Sequence, residues 1–446
     1  MAAFVTDQFR ILNAGSFVES ISNNSYYAFL GLSNPTSPNP GFGRTTNWDT
    51  STTNNPIDNL QYLSHYKNTS LFGKKITTEN ARRVVTRIDW IENTAYDMYR
   101  HDYGQGNQSP VNKSLTLYGA KYYVITDEFK VYICLDNGTS GSTGPTDTVT
   151  VPLSTIKPTQ TDPEPSLLSD GYVWKYLFKI SPSDVIKFDS TEFFVVPNDW
   201  LTTTDSDIQI IRDGGNSDNN NNQIKTVYIE NGGTGYQDGT ADIIGDGTGG
   251  KVSIKTTSGV ITEITVTQGG KGYTFGAIDL KNQDGQNAKL IPIIPPSKGH
   301  GYNVYQELGT DKVLLYSRFD DSTKDFPIDT KFAQVGIIKN PETFGGATIF
   351  NENQFSSLFA IKLTSSISIN IGQEITQTIT SGAGVTTVAK GYVASYDKET
   401  NVLKYYQDRS LCFGNKVDQT DSNDTAAIVG FSTAVAGLSP AGTIDT

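Results

Sequence analysis

A gap-free internal repeat constrains this chain more than any other feature. Ile224–Tyr236 aligns on Ile261–Tyr273, and Gly232, Gly233, Gly235 and Gly239 fall on Gly269, Gly270, Gly272 and Gly276. With 42 glycines in 446 residues, four in register arise by chance at about 10⁻⁴ per offset. Each copy reads as an alternating strand closed by a Gly-Gly-x-Gly-Tyr turn, in which glycine supplies positive φ and the tyrosine folds back over the turn. Two copies are fewer than the three or so that a solenoid needs. The pattern therefore predicts a small two-fold β module over about residues 223–296, inserted in a larger domain and closed by Pro292, Pro295 and Pro296.

The rest of the chain carries the signature of short strands and tight turns. Apolar residues make up 36% and charged residues 18%, yet 23 Tyr and 21 Phe exclude a disordered chain, which would be poor in aromatics and rich in charge. The length allows about three domains. The net charge of −12 disfavours nucleic-acid binding, whose affinity comes largely from neutralising phosphates. No stretch approaches ~18 consecutive apolar residues, so no transmembrane helix is expected. Met1–Thr6 runs into Asp7 without a basic or apolar leader, so no signal peptide is expected either.

Along the chain, residues 1–30 read as a helix followed by a strand at Tyr26–Leu30, and 31–58 as a proline-punctuated loop. Ile57–Ser70 reads as a helix and Val84–Ile91 as a strand. Leu115–Tyr118, Lys121–Thr126 and Phe129–Leu135 suggest a hairpin region, 136–170 a long loop, and Gly171–Ile180 and Glu192–Val196 two strands bracketing a turn at Ser181-Pro182. The asparagine tract at 213–222 reads as a linker. Strands are expected at Lys312–Phe319 and Phe332–Lys339. Five more (Ile361–Leu363, Ile367–Ile371, Ile375–Ile379, Val388–Ser395, Val402–Tyr406) suggest a small barrel or sandwich. Thr425–Thr446 reads as a disordered tail unless a neighbour docks it.

Few residues invite catalytic chemistry. Two cysteines, Cys134 and Cys412, exclude a disulfide framework and a multi-cysteine zinc site. Cys134 lies in an apolar run and reads as a buried small hydrophobe. The histidines are His65, His101 and His300. The glycine-flanked His300 could shuttle a proton or bind a ligand, but neither it nor His101 has a second histidine nearby, and both are expected to be structural or surface residues. Gly245–Lys251 mimics a dinucleotide fingerprint and a phosphate loop. A strand rather than a helix follows it, and Val252 stands where a phosphate loop needs Ser or Thr, so it reads as a turn of the repeat. Asp418, Asp421 and Asp424 lack the glycine and terminal glutamate of a calcium loop. Paired carboxylates for glycoside hydrolysis are a spatial arrangement, and 47 acidic residues make any choice of pair arbitrary. Lys74, Lys75, Arg82, Arg83 and Arg87 form the most basic stretch, which reads either as mixed surface or as a docking face for an acidic neighbour.

Asp170-Gly171-Tyr172-Val173-Trp174 through Ile180, followed by Glu192–Pro197, resembles the baseplate wedge subunit of T-even-like contractile-tailed phages, the product of gene eight. Colinear pieces resemble it too: Phe42-Gly43-Arg44 with Trp48, Arg87-Ile88-Asp89-Trp90, Val131–Asp136, and Phe332–Pro341. They span roughly residues 1–205 and 298–345. The Gly-Gly-x-Gly-Tyr repeat and the C-terminal β region resemble additions to that form, and similar turn repeats resemble those of marine-phage structural proteins. The resemblance implies a non-enzymatic virion protein that dimerises, contacts neighbouring wedge proteins around the tail hub, and belongs to the assembly that rearranges on contraction.

The expected fold is mainly β with some α (α+β) and multidomain. A sandwich- or barrel-like body at 1–205 and 298–350 is interrupted by the β module at 206–297 and followed by a C-terminal β barrel or sandwich with its tail at 351–446. The expected role is a structural component of the baseplate wedge in the virion tail, assembled in the host cytoplasm. The expected partners are a second copy and other wedge proteins, with no nucleic acid, membrane or small-molecule substrate. No catalytic, cofactor-binding or metal-ligating residues and no cofactors are expected. The alternatives are a carbohydrate- or receptor-binding tail protein and, third, a polysaccharide-degrading virion enzyme.

Overall fold

The computed structural model describes residues 6–31, 70–139, 151–213, 222–281, 283–319, 334–343, 345–370, 373–380, 384, 386–407, 430–440 and 442–445. The chain is mainly β, with antiparallel sheets and few helices. Contacts divide it into two compact units, Met1–Glu19 with Ala81–Leu315 and Ser20–Asn80 with Tyr316–Thr446.

The first unit is built on two sheets. In one, Lys130–Asp136 lies between Tyr123–Ile125 and Val173–Lys179, with Ser166–Leu167 at the edge. Val131–Leu135 and Trp174–Phe178 are buried at every position, so both faces of the sheet are covered; the first is a continuous apolar run, whereas the second includes Lys175. In the other, Ala81–Thr86 lies between Lys312–Leu315 and Phe193–Val196. Two expectations are corrected here. Leu115–Tyr118 forms no strand, and Leu117–Gly119 is instead a single tight turn, so the hairpin is Tyr123–Ile125 with Lys130–Asp136. Between the strands at 173–179 and 193–196 the chain makes a helix, Pro182–Phe188, rather than a turn. Ser181 accepts from Asp184 N and Pro182 occupies the first turn, a start signal strong enough for seven residues.

The repeat forms a closed module within this unit. Its strands are β1 (Val227–Thr234), β2 (Gly239–Gly245), β3 (Thr248–Thr257), β4 (Val260–Lys271), β5 (Gly276–Ile278) and β6 (Gln286–Pro292). Antiparallel pairing runs β4-β3-β2-β5 and β6-β1. The packing of β1 on β4 and of β5 on β6 completes a ring. Pseudo-two-fold symmetry follows from the register. Ile243 pairs with Ile278, and Asp279 N donates to Asp242 O. Shifting both strands by the repeat length returns the same register, as an axis between β2 and β5 requires. Tyr236 N donates to Gly259 O and Tyr273 N to Asn222 O, which are equivalent positions. Gly235 and Gly272 have φ of +81° and +78°, where a β-branched residue is strained. The core holds matched residues of both copies, among them Ile224 and Ile261, and Tyr236 and Tyr273.

In the second unit, Tyr26–Gly31 follows the Asp7–Asn23 helix and pairs with Gln334–Lys339 and Ser70–Ile76, with Gln354–Phe355 outside the latter. A second sheet runs Phe359–Lys362, Val402–Tyr406, Thr386–Asp397, Glu374–Thr380. Residues 367–370 are not strand. The tail expectation is corrected over 430–440 and 442–445. Gly437–Leu438 pairs with Gly442–Thr443, and Leu438 and Ile444 are buried against Ile361, Leu363, Ile375 and Leu403. Phe431 packs against Tyr405 beside them, and the Gln377 amide bonds Ser432 and Val435, so apolar and polar contacts together seat the segment. The stretch 298–350 is divided between the units, with Lys312–Leu315 in the first and Gln334–Lys339 in the second. The Ile57–Ser70 helix expected from sequence, apart from Ser70, and the asparagine tract at 214–221 lie outside the described residues.

Candidate functional site: the Asp170 clamp and a buried ion cluster

The segments that carry the sequence motifs of the first unit converge on Asp170. Its Oδ2 accepts from Thr155 N at 2.9 Å, Ile156 N at 3.0 Å and Ser154 Oγ at 3.2 Å, while Oδ1 accepts from Tyr172 N. Ser154 Oγ also accepts from the Trp90 indole at 3.1 Å, and Trp90 N donates to Ile125 O. Tyr172 OH donates to Pro152 O at 2.7 Å and accepts from Tyr96 N. Trp174 is fully buried, stacked on Tyr172 and edge-on to Tyr96. The clamp thus joins residues 87–96, 152–156 and 170–174 to the central sheet. Arg87 pairs with Asp89 and Asp189, which ties the next segment in. Phe42-Gly43-Arg44 and Trp48 lie outside the described residues, and the strand of Phe332–Pro341 belongs to the second unit.

Beneath the same sheet lies a cluster of buried charge that sequence reading missed. Lys175, His300 and Glu307 are 3%, 5% and 1% exposed. Glu307 Oε1 is 2.6 Å from His300 Nδ1, and Oε2 accepts from Gly301 N at 2.6 Å. Tyr99 meets the imidazole edge-on. Lys175 Nζ donates to Pro163 O. Burial pulls the Lys175 ammonium down to about 8, against the opposing pull of Glu307 and Glu164. The segment carrying His300 and Glu307 is held by aromatic hydroxyls and indoles. Trp200 Nε1 donates to Gly301 O and Tyr122 OH to Glu307 O. His300 is therefore a packed, hydrogen-bonded core residue. Only tertiary structure joins it to Lys175, so no spacing signal could have revealed the trio.

The remaining sequence candidates that the structure describes make contacts within the fold. His101 Nδ1 accepts from Ile294 N at 3.2 Å where the repeat module meets the rest of its unit, and burial lowers its pKa. Beside it Arg100 covers the Tyr228 ring, and Lys225 pairs with Glu164 at 2.8 Å. Cys134 is fully buried, and burial pushes its thiol well up. Burial also raises Asp136 to about 6. Gly245–Lys251 is the β2–β3 hairpin, as the absence of a following helix predicts. The cations of the basic stretch all make contacts within the chain. Lys74 and Lys75 bond Arg318 O and Asn351 in the second unit. In the first, Arg82 pairs with Asp184, Arg83 stacks on Tyr305, and Arg87 is paired as above. His65, Asp418, Asp421 and Asp424 lie outside the described residues. Among the described residues, no three His, Cys, Asp or Glu are grouped to hold a metal, and no helix is long and apolar enough to cross a membrane. Compared with known proteins, the chain matches no family model and no curated protein.

Proposed function

We propose that this chain is a structural subunit of the baseplate wedge of a contractile-tailed phage, a multidomain α+β protein that dimerises and contacts neighbouring wedge proteins. The observation that carries this reading is the Asp170 clamp. Residues 87–90 and 170–174, which carry the resemblance to that family, meet in one hydrogen-bonded core beside the 131–136 strand, although tens of residues separate them in sequence. The polar groups of these motifs are spent on holding backbone. The buried ion cluster fits the same role, because its carboxylate is committed to His300 and a backbone N–H. The aromatic surplus suits interfaces, where aromatic side chains supply the anchors. Obligate assembly interfaces commonly bury roughly 2,000–5,000 Å².

Light scattering on the full chain at micromolar concentration tests the first step. A dimer is expected, and a monomer counts against the family assignment.

A further inference from the structure

The second unit carries an open cleft of about 700 Å³ whose chemistry the baseplate reading does not use. It lies where the end of the Asp7–Asn23 helix meets the end of the Ser70–Ile76 strand and the turns at 340 and 349–351. In a chain of net charge −12, none of the described lining residues is acidic and Lys75 alone among them is charged. Asn24, Ser25, Thr77, Asn340 and Asn351 are typical of the wall.

These side chains are held in fixed orientations by one another. Asn340 Oδ1 accepts from Ser25 N at 2.9 Å, and its Nδ2 donates to Asn24 Oδ1 at 3.0 Å. Asn24 Nδ2 donates to Ser20 O. Asn351 Oδ1 accepts from both Ser25 Oγ at 2.8 Å and Lys75 Nζ at 2.6 Å. With both lone pairs of that oxygen used, the amide orientation of Asn351 is set, and its Nδ2 keeps two N–H donors with no partner among the described residues. Ile349, half-exposed, adds one apolar patch to the wall.

Elimination narrows the ligand. A metal ion is usually held by carboxylates, and the described residues of the wall include none. Stable capture of an anion takes several converging cations, and Lys75, two of whose donors already point to Asn351, is the single cation among the described lining residues. A nucleobase needs an aromatic or broad apolar wall to stack on. What remains is a neutral ligand dense in hydroxyl groups, each of which donates and accepts as amides and hydroxyls do. The geometry points to a binding site for neutral saccharides in this cleft, with Asn351 Nδ2 as its principal donor.

Saturation-transfer NMR on the full chain, with maltohexaose and with triacetylchitotriose as probes, tests the assignment. Transfer at millimolar affinity is expected with at least one probe. Asn351→Asp keeps the acceptor for Ser25 and Lys75 but removes both donors, and it should weaken that binding about tenfold. Hydrogen exchange on the unmodified chain gives a reading that does not depend on the variant. The bound probe should protect peptides at 22–25, 75–78 and 349–351. Absence of transfer with both saccharides, unaltered affinity in Asn351→Asp, or protection confined to other segments would each overturn the proposal.

Discussion

Tyr236 and Tyr273 stand at the same position of the two repeat copies, and each lays its ring over a glycine, Gly285 and Gly247 respectively, at a point where any side chain would stand inside the ring. Tyr273 adds hydrogen bonds to Ile243 O at 2.8 Å and from Gly250 N at 3.0 Å. The two copies thus close their turns by one device, and the module is stabilised as a pair of equivalent halves.

Gly235→Val and Gly272→Val should therefore cost similar amounts, roughly 1–3 kcal/mol each, because both residues sit at positive φ. Chemical denaturation of the full chain, read by hydrogen exchange over 227–292, measures both. Unchanged midpoints would show that the turns do not need that conformation.

Lys175 sets a pH dependence. In the folded chain its ammonium loses its proton near pH 8, whereas in the unfolded chain it holds it to about 10.5. Between these values the unfolded state binds more protons, so stability rises with pH across the window. Below pH 8 the buried charge imposes a constant penalty of about 3 kcal/mol. Relative to Lys175→Met, the unmodified chain should gain most of that amount between pH 7.5 and 10.5 in urea titrations. Parallel curves for the two proteins would refute the assignment of this group.

Asp170→Ala removes the acceptor shared by Thr155 N, Ile156 N and Ser154 Oγ. The site is partly open to water, which can replace some of these bonds, so the expected loss is roughly 2 kcal/mol, with exchange increased over 152–156. A loss below a few tenths would mean that the clamp adds nothing to the core.

Cys134 should resist thiol reagents in the native chain, because it is fully buried and its thiolate is disfavoured. Its labelling rate should follow global unfolding as denaturant is added. Rapid labelling in the absence of denaturant would show that the central sheet opens locally.

How much of this was legible depended on whether the cause was local. The repeat could be read because positive φ at Gly233 and Gly235, and again at Gly270 and Gly272, demands glycine at a fixed offset from each tyrosine. The Val131–Leu135 strand could be read because both of its faces are buried. The Pro182–Phe188 helix was missed although its Ser181 cap and Pro182 are local signals, because seven residues between strong strands look like a turn. The seating of Leu438 and Ile444 was missed because their partners lie tens of residues upstream, at Ile361, Leu363 and Ile375. The grouping of Lys175, His300 and Glu307 was missed for the same reason, as the sheet and the 299–308 segment must both form before these side chains come together. The partners of the basic stretch were not legible either, because successive strand positions send neighbouring cations to different places, Arg82 to Asp184 and Arg83 to Tyr305.

The central claim, that the chain is a baseplate wedge subunit, is tested most directly by locating it in a cryo-electron microscopy map of the intact tail of a phage that carries it. The account predicts density for two copies of the chain in each of the six wedges around the tail hub, with the motif-bearing unit among neighbouring wedge proteins. Density for the chain only in fibres, tube or capsid, or its absence from the particle, would contradict it.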